Sequence, residues 1–118
     1  MARRPPKIFH VNWFRKSGEG KFLWPGFGDN MRVLRWIIDR CQGHVRANES
    51  PLGWMPSADD IDIAGMKNYS RQDLEQALAL DVDGWKREAI LQDELFINLS
   101  GNLPAELMFQ RELLIARL

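Results

Sequence analysis

The residues most able to do chemistry lie in one short stretch, Trp24-Pro25-Gly26-Phe27-Gly28-Asp29-Asn30. Phe27 sits between two glycines, so no neighbouring side chain covers its ring, and a turn built this way displays it. Phe14 and Phe22 precede it, and Asn30 follows it by three residues. Three rings converging on one flat ligand would bind by stacking, worth about 1–3 kcal/mol per base. A carboxamide beside them would hydrogen-bond a base edge, and a helix starting near Asn30 would favour a nearby anion. Asn30 alone does not choose the base, because its amide has both donor and acceptor and turns to suit guanine or adenine. The same rings also read as an aromatic mini-core, a use just as common for such residues.

Other chemistries find little support. Gly18-Glu19-Gly20-Lys21 is glycine-rich and ends in lysine, but Phe22 stands where a phosphate loop needs a hydroxyl, and the G-x-x-x-x-G-K-[ST] spacing is absent. His10 and His44 lack a metal-ligand spacing. Asp59, Asp60 and Asp62 lack the glycine and distal glutamate of a calcium loop and read as a solvated turn. No nucleophile elbow and no Cys-His signature is present. The single cysteine, Cys41, excludes an internal disulfide and a cysteine-based zinc site, and fits a reducing, cytoplasmic compartment.

The elements that must position these residues follow from periodicity. Ile8–Phe14 alternates, with Phe9, Val11 and Trp13 on one side and Ile8, His10, Asn12 and Phe14 on the other, which predicts a strand. It follows a basic, proline-containing lead, Met1–Pro6. Ser17-Gly18-Glu19-Gly20 supplies a turn and Lys21–Trp24 a returning strand. A helix is predicted from about Asn30 to Gln42, N-capped by Asp29 or Asn30, with an apolar stripe of Val33, Leu34, Ile37, Ile38 and Cys41 and a stop at Gly43. Residues 44–69 read as an irregular connection with one short strand at Leu52–Met55, closed by Pro56. Ser70 and Asp73 form an approximate capping box before Leu74, Ala77 and Leu78. Asp83 caps a second helix whose Trp85, Ala89, Phe96 and Leu99 share a face. After Ser100-Gly101-Asn102, Pro104 opens a last helix carrying Leu107, Met108, Leu114, Ile115 and Leu118. The fold class is α+β, with short N-terminal strands and a mostly helical C-terminal half.

At 118 residues the chain is one domain's length, with balanced charge (16 basic, 16 acidic). The balance hides an asymmetry. Residues 1–50 hold ten Lys and Arg against four Asp and Glu, and residues 51–118 hold six against twelve. Seven of the twelve aromatic residues fall between Phe9 and Trp36. A basic, aromatic first half points to a flat anionic partner, whereas packing of the rings and solvation of the charges is the structural alternative. No run has the apolar length of a membrane span or a signal peptide.

Lys7-Ile8-Phe9-His10-Val11-Asn12-Trp13-Phe14-Arg15-Lys16, then Gly20-Lys21-Phe22-Leu23-Trp24-Pro25-Gly26-Phe27-Gly28-Asp29-Asn30 and Arg32-Val33-Leu34, closely resembles GTP-dependent phosphoenolpyruvate carboxykinase. The resemblance is dense from Pro6 to about Ile38. It continues more loosely through Glu49-Ser50-Pro51-Leu52-Gly53-Trp54-Met55-Pro56 to the helical tail. It implies a gluconeogenic carboxy-lyase that converts oxaloacetate and GTP into phosphoenolpyruvate, GDP and carbon dioxide with manganese and magnesium. It also implies that Phe14 and Phe27 sandwich guanine, that Phe22 contacts its edge, that Asn30 hydrogen-bonds it, and that Gly28 and Asp29 shape the loop. Asp29 stands where the family usually has Glu. The family is several times longer than this chain, and the residues it uses for phosphates, metals and oxaloacetate precede this segment.

The expectation is therefore a C-terminal segment of a larger α/β nucleotide-binding domain, spanning 1–118. Within it, 6–43 is the guanine-pocket strand–loop–helix, 44–69 the connection and 70–118 the terminal helices. Such a piece ligates no metal and is inactive alone. It partners with guanine nucleotide and the remainder of the parent enzyme, self-associates through an exposed strand edge, and binds neither nucleic acid nor membrane. The alternatives are a stand-alone module for nucleotides or single-stranded nucleic acid, and an interaction domain.

Overall fold

The structure, a computed structural model, describes residues 5–118; Met1–Arg4 of the basic lead lie outside the described residues. The described chain falls into two compact units, one made of residues 5–48 and 54–79 and the other of residues 49–53 and 80–118. Its elements in order are a 3-10 turn Phe27–Asp29, helix α1 Asn30–Gln42, strands β1 Asn48–Ser50 and β2 Gly53–Met55, and helices α2 Arg71–Leu78, α3 Val82–Asn98 and α4 Ala105–Arg117. The strands are joined by Pro51-Leu52, so they pair antiparallel. The fold class is α+β, as predicted.

The first unit is organised around four buried side chains, Trp24, Trp36, Ile61 and Leu74, with Phe9, Trp13, Val33, Ile37, Tyr69 and others packed on them. The predicted strand Ile8–Phe14 does not form, because no strand among the described residues hydrogen-bonds to it. Its two-residue alternation nevertheless survives in burial. Phe9, Val11 and Trp13 are half-buried, whereas Ile8, His10, Asn12 and Phe14 are exposed. The predicted returning strand Lys21–Trp24 is reduced to one antiparallel bridge, Lys16 to Phe22, flanked by Leu23 N–H to Arg15 O at 2.9 Å and Ser17 N–H to Lys21 O at 2.8 Å.

Helix α1 has the predicted limits. Gly43 closes it in the left-handed region (φ 79), donating to the Arg40 and Asp39 carbonyls. Its buried stripe differs from the predicted one. Trp36 is buried, Val33 and Ile37 half-buried, and Leu34, Ile38 and Cys41 lie on the exposed side. The reason is area: the indole is the largest apolar side chain on the helix, and turning it inward removes more apolar surface from water than turning in any one of Leu34, Ile38 or Cys41.

The connection 44–69 contains β1 and β2 and otherwise turns. It delivers Tyr69, whose hydroxyl donates to Leu23 O at 3.1 Å. Helix α2 begins with a complete capping box: Ser70 Oγ accepts from Asp73 N–H at 3.2 Å, and Asp73 Oδ2 accepts from Ser70 N–H at 2.7 Å. Leu74, four residues after the cap, is fully buried. At the other end, Arg15 Nη1 donates to the carbonyls of Ala77 (3.0 Å) and Ala79 (2.5 Å), satisfying acceptors that a helix C-terminus leaves open.

In the second unit, Asp81 rather than the predicted Asp83 caps α3, because only the Asp81 carboxylate reaches back to Gly84 N–H, at 2.8 Å. Asp83 lies in the first turn, where its charge complements the helix dipole. Ala89 is buried, and Trp85 and Phe96 are half-buried. Leu99 is exposed because it lies just past the last helical residue. Pro104 immediately precedes α4 instead of lying in its first turn. Of the predicted α4 face, Leu114 and Leu118 are half-buried, and Leu107, Met108 and Ile115 are exposed. Arg111 ties the two helices together. Its Nε and Nη2 donate to Ala89 O (3.1 and 2.6 Å), Nη2 meets Asp93 Oδ1 at 2.6 Å, and the guanidinium lies 5.6 Å from the Phe96 ring centre.

Two stability outcomes follow. Burial and then the neighbouring Asp73 charge push the Tyr69 phenol up to about 12 from 10.0. A raised phenol contributes stability below its unfolded value and loses it as pH rises through the folded value, so the first unit weakens between pH 10 and 12. Tyr69 is the only tyrosine, so its absorbance titration reads this directly. The midpoint is expected near 12 in the folded chain and near 10 in denaturant; a folded midpoint near 10 contradicts the packing. Replacing the cap, Ser70→Ala, is expected to cost about 1 kcal/mol by urea unfolding. Asp73 is held below its ordinary value by the Ser70 hydroxyl and backbone. Its contribution is therefore present above about pH 4 and is lost as pH falls through the lowered folded value, and Ser70→Ala, which removes the hydroxyl and keeps the backbone N–H, reduces that acid dependence.

Candidate functional site

Gly26 is what makes the loop possible. Its backbone, φ 121 and ψ −161, occupies a region essentially restricted to glycine. That bend turns the chain after Trp24-Pro25 and delivers Phe27 as the first residue of the 3-10 turn, which runs straight into α1. The Phe27 side chain is 92% exposed and joins no ring pair among the described residues. Gly28 beside it is exposed.

Phe14 is 75% exposed. Its N–H donates to Asn12 Oδ1 at 3.0 Å, an Asx turn that fixes the backbone at the ring. Phe14 and Phe22 meet edge to face, with ring centres 6.4 Å apart, and Lys16 Nζ lies 5.0 Å from the Phe22 centre. The structure thus brings together Phe14 with Phe22, and Phe27 with Gly28, Asp29 and Asn30. It does not bring Phe27 into ring contact with the other two.

Asp29 and Asn30 are both engaged. The Asp29 carboxylate accepts from Arg32 Nε at 2.9 Å, so it does not bond the first-turn amides of α1 as a cap would. Arg32 also donates Nη1 to Asp62 O (2.7 Å) and Nη2 to Ala64 O (2.9 Å), which clamps the start of α1 to the connection. The Asn30 Oδ1 accepts from Trp24 Nε1 at 2.8 Å. Trp24, Arg32 and Arg15 are the positioning residues that periodicity misses. Only the three-residue step from Asp29 to Arg32, a standard helical ion-pair spacing, carries a sequence signal.

The competing sites close on themselves. In the Ser17–Lys21 turn, Gly20 N–H donates to Ser17 O at 2.9 Å, and the Glu19 and Lys21 amides reach Ser17 Oγ at 3.3 Å. A phosphate cradle needs those amides free. Asp60 accepts from the Ser57 amide and hydroxyl, Asp62 from Ala64 N–H, and Asp59 pairs with Arg71. Among the described residues no three His, Cys, Asp or Glu side chains converge as a metal would require. An open hollow lined by Ser17, Lys21, Phe22, Pro25, Tyr69 and Asp73 borders the Phe22 ring.

Comparison with known proteins covers nearly the whole chain. The family profile described as "Phosphoenolpyruvate carboxykinase C-terminal P-loop domain" matches residues 1–117. "Phosphoenolpyruvate carboxykinase [GTP]" of Anaeromyxobacter dehalogenans strain 2CP-C is 50% identical over 113 residues, which is 96% of this chain and 19% of that protein. The protein of that name from Treponema pallidum strain Nichols is 45% identical over 118 residues, 99% of this chain and 19% of its own length. That from Corynebacterium glutamicum is 42% identical over 113 residues, 96% and 18%. The chain spans about a fifth of the length of these relatives.

The role given to Gly26 is directly testable. Gly26→Ala is expected to cost about 1–3 kcal/mol in urea unfolding, because alanine does not tolerate this backbone. Gly28→Ala, at a residue with no such conformation and nothing within 4 Å of an added Cβ, is expected to stay within about 0.5 kcal/mol of the parent. Equal costs at both positions contradict the account of the turn.

Proposed function

The chain belongs to the phosphoenolpyruvate carboxykinase [GTP] family, and on that premise we propose that it supplies the guanine-binding part of such an enzyme. Phe14 and Phe27 take the base between them, Phe22 meets its edge, Asn30 hydrogen-bonds it, and Gly28 and Asp29 shape the loop. The observation that carries the reading is the Phe27 ring. It is 92% exposed on a turn that only Gly26 permits. The ring pairs with no other ring among the described residues, and a stacking surface needs that exposure. The basic residues of the first fifty suit the attached phosphates.

The parent reaction in this proposal joins oxaloacetate and GTP to give phosphoenolpyruvate, GDP and carbon dioxide in the cytoplasm. Phosphoryl transfer depends on metal ions and a phosphate cradle. Among the described residues no metal ligand set converges, and the Ser17–Lys21 turn spends its Glu19, Gly20 and Lys21 amides on Ser17. In this proposal manganese, magnesium and the reacting phosphate belong to the remainder of the enzyme, with which this segment partners. No helix among the described residues is long and apolar enough to cross a membrane. The unpaired edge at Ile8–Phe14 makes self-association of the isolated chain part of the same proposal.

Two measurements on the purified chain test this. GTP is expected to bind with a dissociation constant of about 1 mM or weaker, since stacking and one or two hydrogen bonds must offset immobilisation of the ligand. ATP is expected to bind more weakly still, and Phe27→Ala to abolish GTP binding. An oligonucleotide bound with steep salt dependence in preference to GTP supports the nucleic-acid module instead. Oxaloacetate decarboxylation with GTP and manganese is expected to show no turnover. Turnover that disappears in Phe27→Ala contradicts the placement of the reacting centre elsewhere.

A further inference from the structure

Trp24 and Asn30 lie six residues apart across a loop with no regular repeat, yet the indole N–H of one reaches the carboxamide oxygen of the other at 2.8 Å. An indole nitrogen only donates. The amide must therefore present oxygen to Trp24, and turning it over sets N–H2 against N–H and leaves the buried donor unpaired. The donor itself is fixed. Trp24 is buried, its ring centre lies 6.4 Å from Trp13 and 5.6 Å from Tyr69, and the Tyr69 hydroxyl holds the carbonyl of the preceding residue, Leu23. Asn30 is fixed as well, at the first position of α1 with its N–H on Phe27 O. The ambiguity of a free carboxamide is removed, and what remains for a ligand is its pair of N–H donors.

We propose that Trp24 is the specificity-determining positioning residue of this site, acting through Asn30 to select a purine with a hydrogen-bond acceptor at position 6. Guanine presents an oxygen there and adenine an amino group, so two donors meet in the adenine case. Trp24 touches no base in this scheme; it decides which end of the Asn30 amide the base meets. The inference rests on the guanine-site reading above and adds a residue and a rule to it.

The test is ligand-observed NMR titration of the full chain, its Trp24→Phe variant and its Asn30→Asp variant. The probes are GTP, ATP and the triphosphate of 2-aminopurine riboside, which keeps the 2-amino group of guanine and lacks the 6-oxygen. The parent chain is expected to prefer GTP over both other nucleotides by about tenfold, the effect of one mismatched polar pair. Trp24→Phe keeps a ring and loses the donor, so either amide orientation becomes available and the preference is expected to fall to about twofold or less. Asn30→Asp keeps one oxygen on the indole and presents the other outward, which is expected to reverse the GTP-to-ATP preference. A merely structural role for Trp24 weakens all three nucleotides equally. An unchanged preference in folded Trp24→Phe overturns the inference and leaves the guanine site standing; if that variant does not fold, an unreversed preference in Asn30→Asp overturns it. A parent chain without guanine preference overturns the site reading, and this inference with it.

Discussion

The bond from Trp24 Nε1 to Asn30 Oδ1 joins the core to the surface that would meet a ligand. Its own worth is small, about 0.5–1.5 kcal/mol net. Burying an indole of 150–250 Å² at about 25 cal/mol per Å² is worth roughly 4–6 kcal/mol. Packing therefore decides where Trp24 sits, and the hydrogen bond follows from that placement, converting a rigid core position into a defined orientation of one amide. The second buried indole makes the contrast: Trp36 Nε1 has no partner among the described residues. Both rings are held by apolar contacts, and only one of them positions a polar group at the loop.

The rest of the first unit serves the same placement. Arg32 draws the start of α1 onto the 62–64 backbone, and Arg15 fastens the Phe14–Phe22 hairpin to the end of α2. Both arginines donate to carbonyls that a turn or helix end would otherwise leave to water, so each orders a loop without a buried unpaired charge. The segment Ile8–Phe14 has the side-chain order of a strand and none of its ladder. Apart from the Phe14 N–H on Asn12 Oδ1, its backbone makes none of the ladder bonds of a sheet, as at an exposed edge.

Local signals were the legible ones. Gly43 marks the end of α1, and Ser70 with Asp73 marks the start of α2, because caps act through neighbours within one turn; the predicted side-chain cap at Asp29 or Asn30 does not form, because Arg32 and Trp24 engage those two side chains. The alternation in Ile8–Phe14 sorted the residues onto the two sides that burial shows and gave the strand wrongly, since side-chain period carries no information about a hydrogen-bonding partner. Periodicity also favoured Leu34 and Ile38 over Trp36, because a helical wheel does not weigh ring area. Of the candidate site, the exposure of Phe27 was readable from Gly26 and Gly28. The commitment of Asn30 to Trp24 was not, because it is set by a non-repeating loop geometry that no spacing rule encodes. Asp81 displaced Asp83 for a similar reason: the two aspartates, separated by Val82, differ only in which backbone bend brings a carboxylate to an amide.

The central claim is that one loop, held by the Trp24-centred core, reads a guanine base. Nitrogen-15 NMR of the labelled chain titrated with GDP tests it most directly, since the Trp24 indole N–H, the Asn30 side-chain N–H2 and the Phe27 amide each give their own signal. The account predicts that these three signals move together as GDP is added, with one shared midpoint, and stay nearly still with ADP. Shifts concentrated on the Ser17–Lys21 turn or on α3 and α4, with Trp24 and Asn30 unmoved, contradict it.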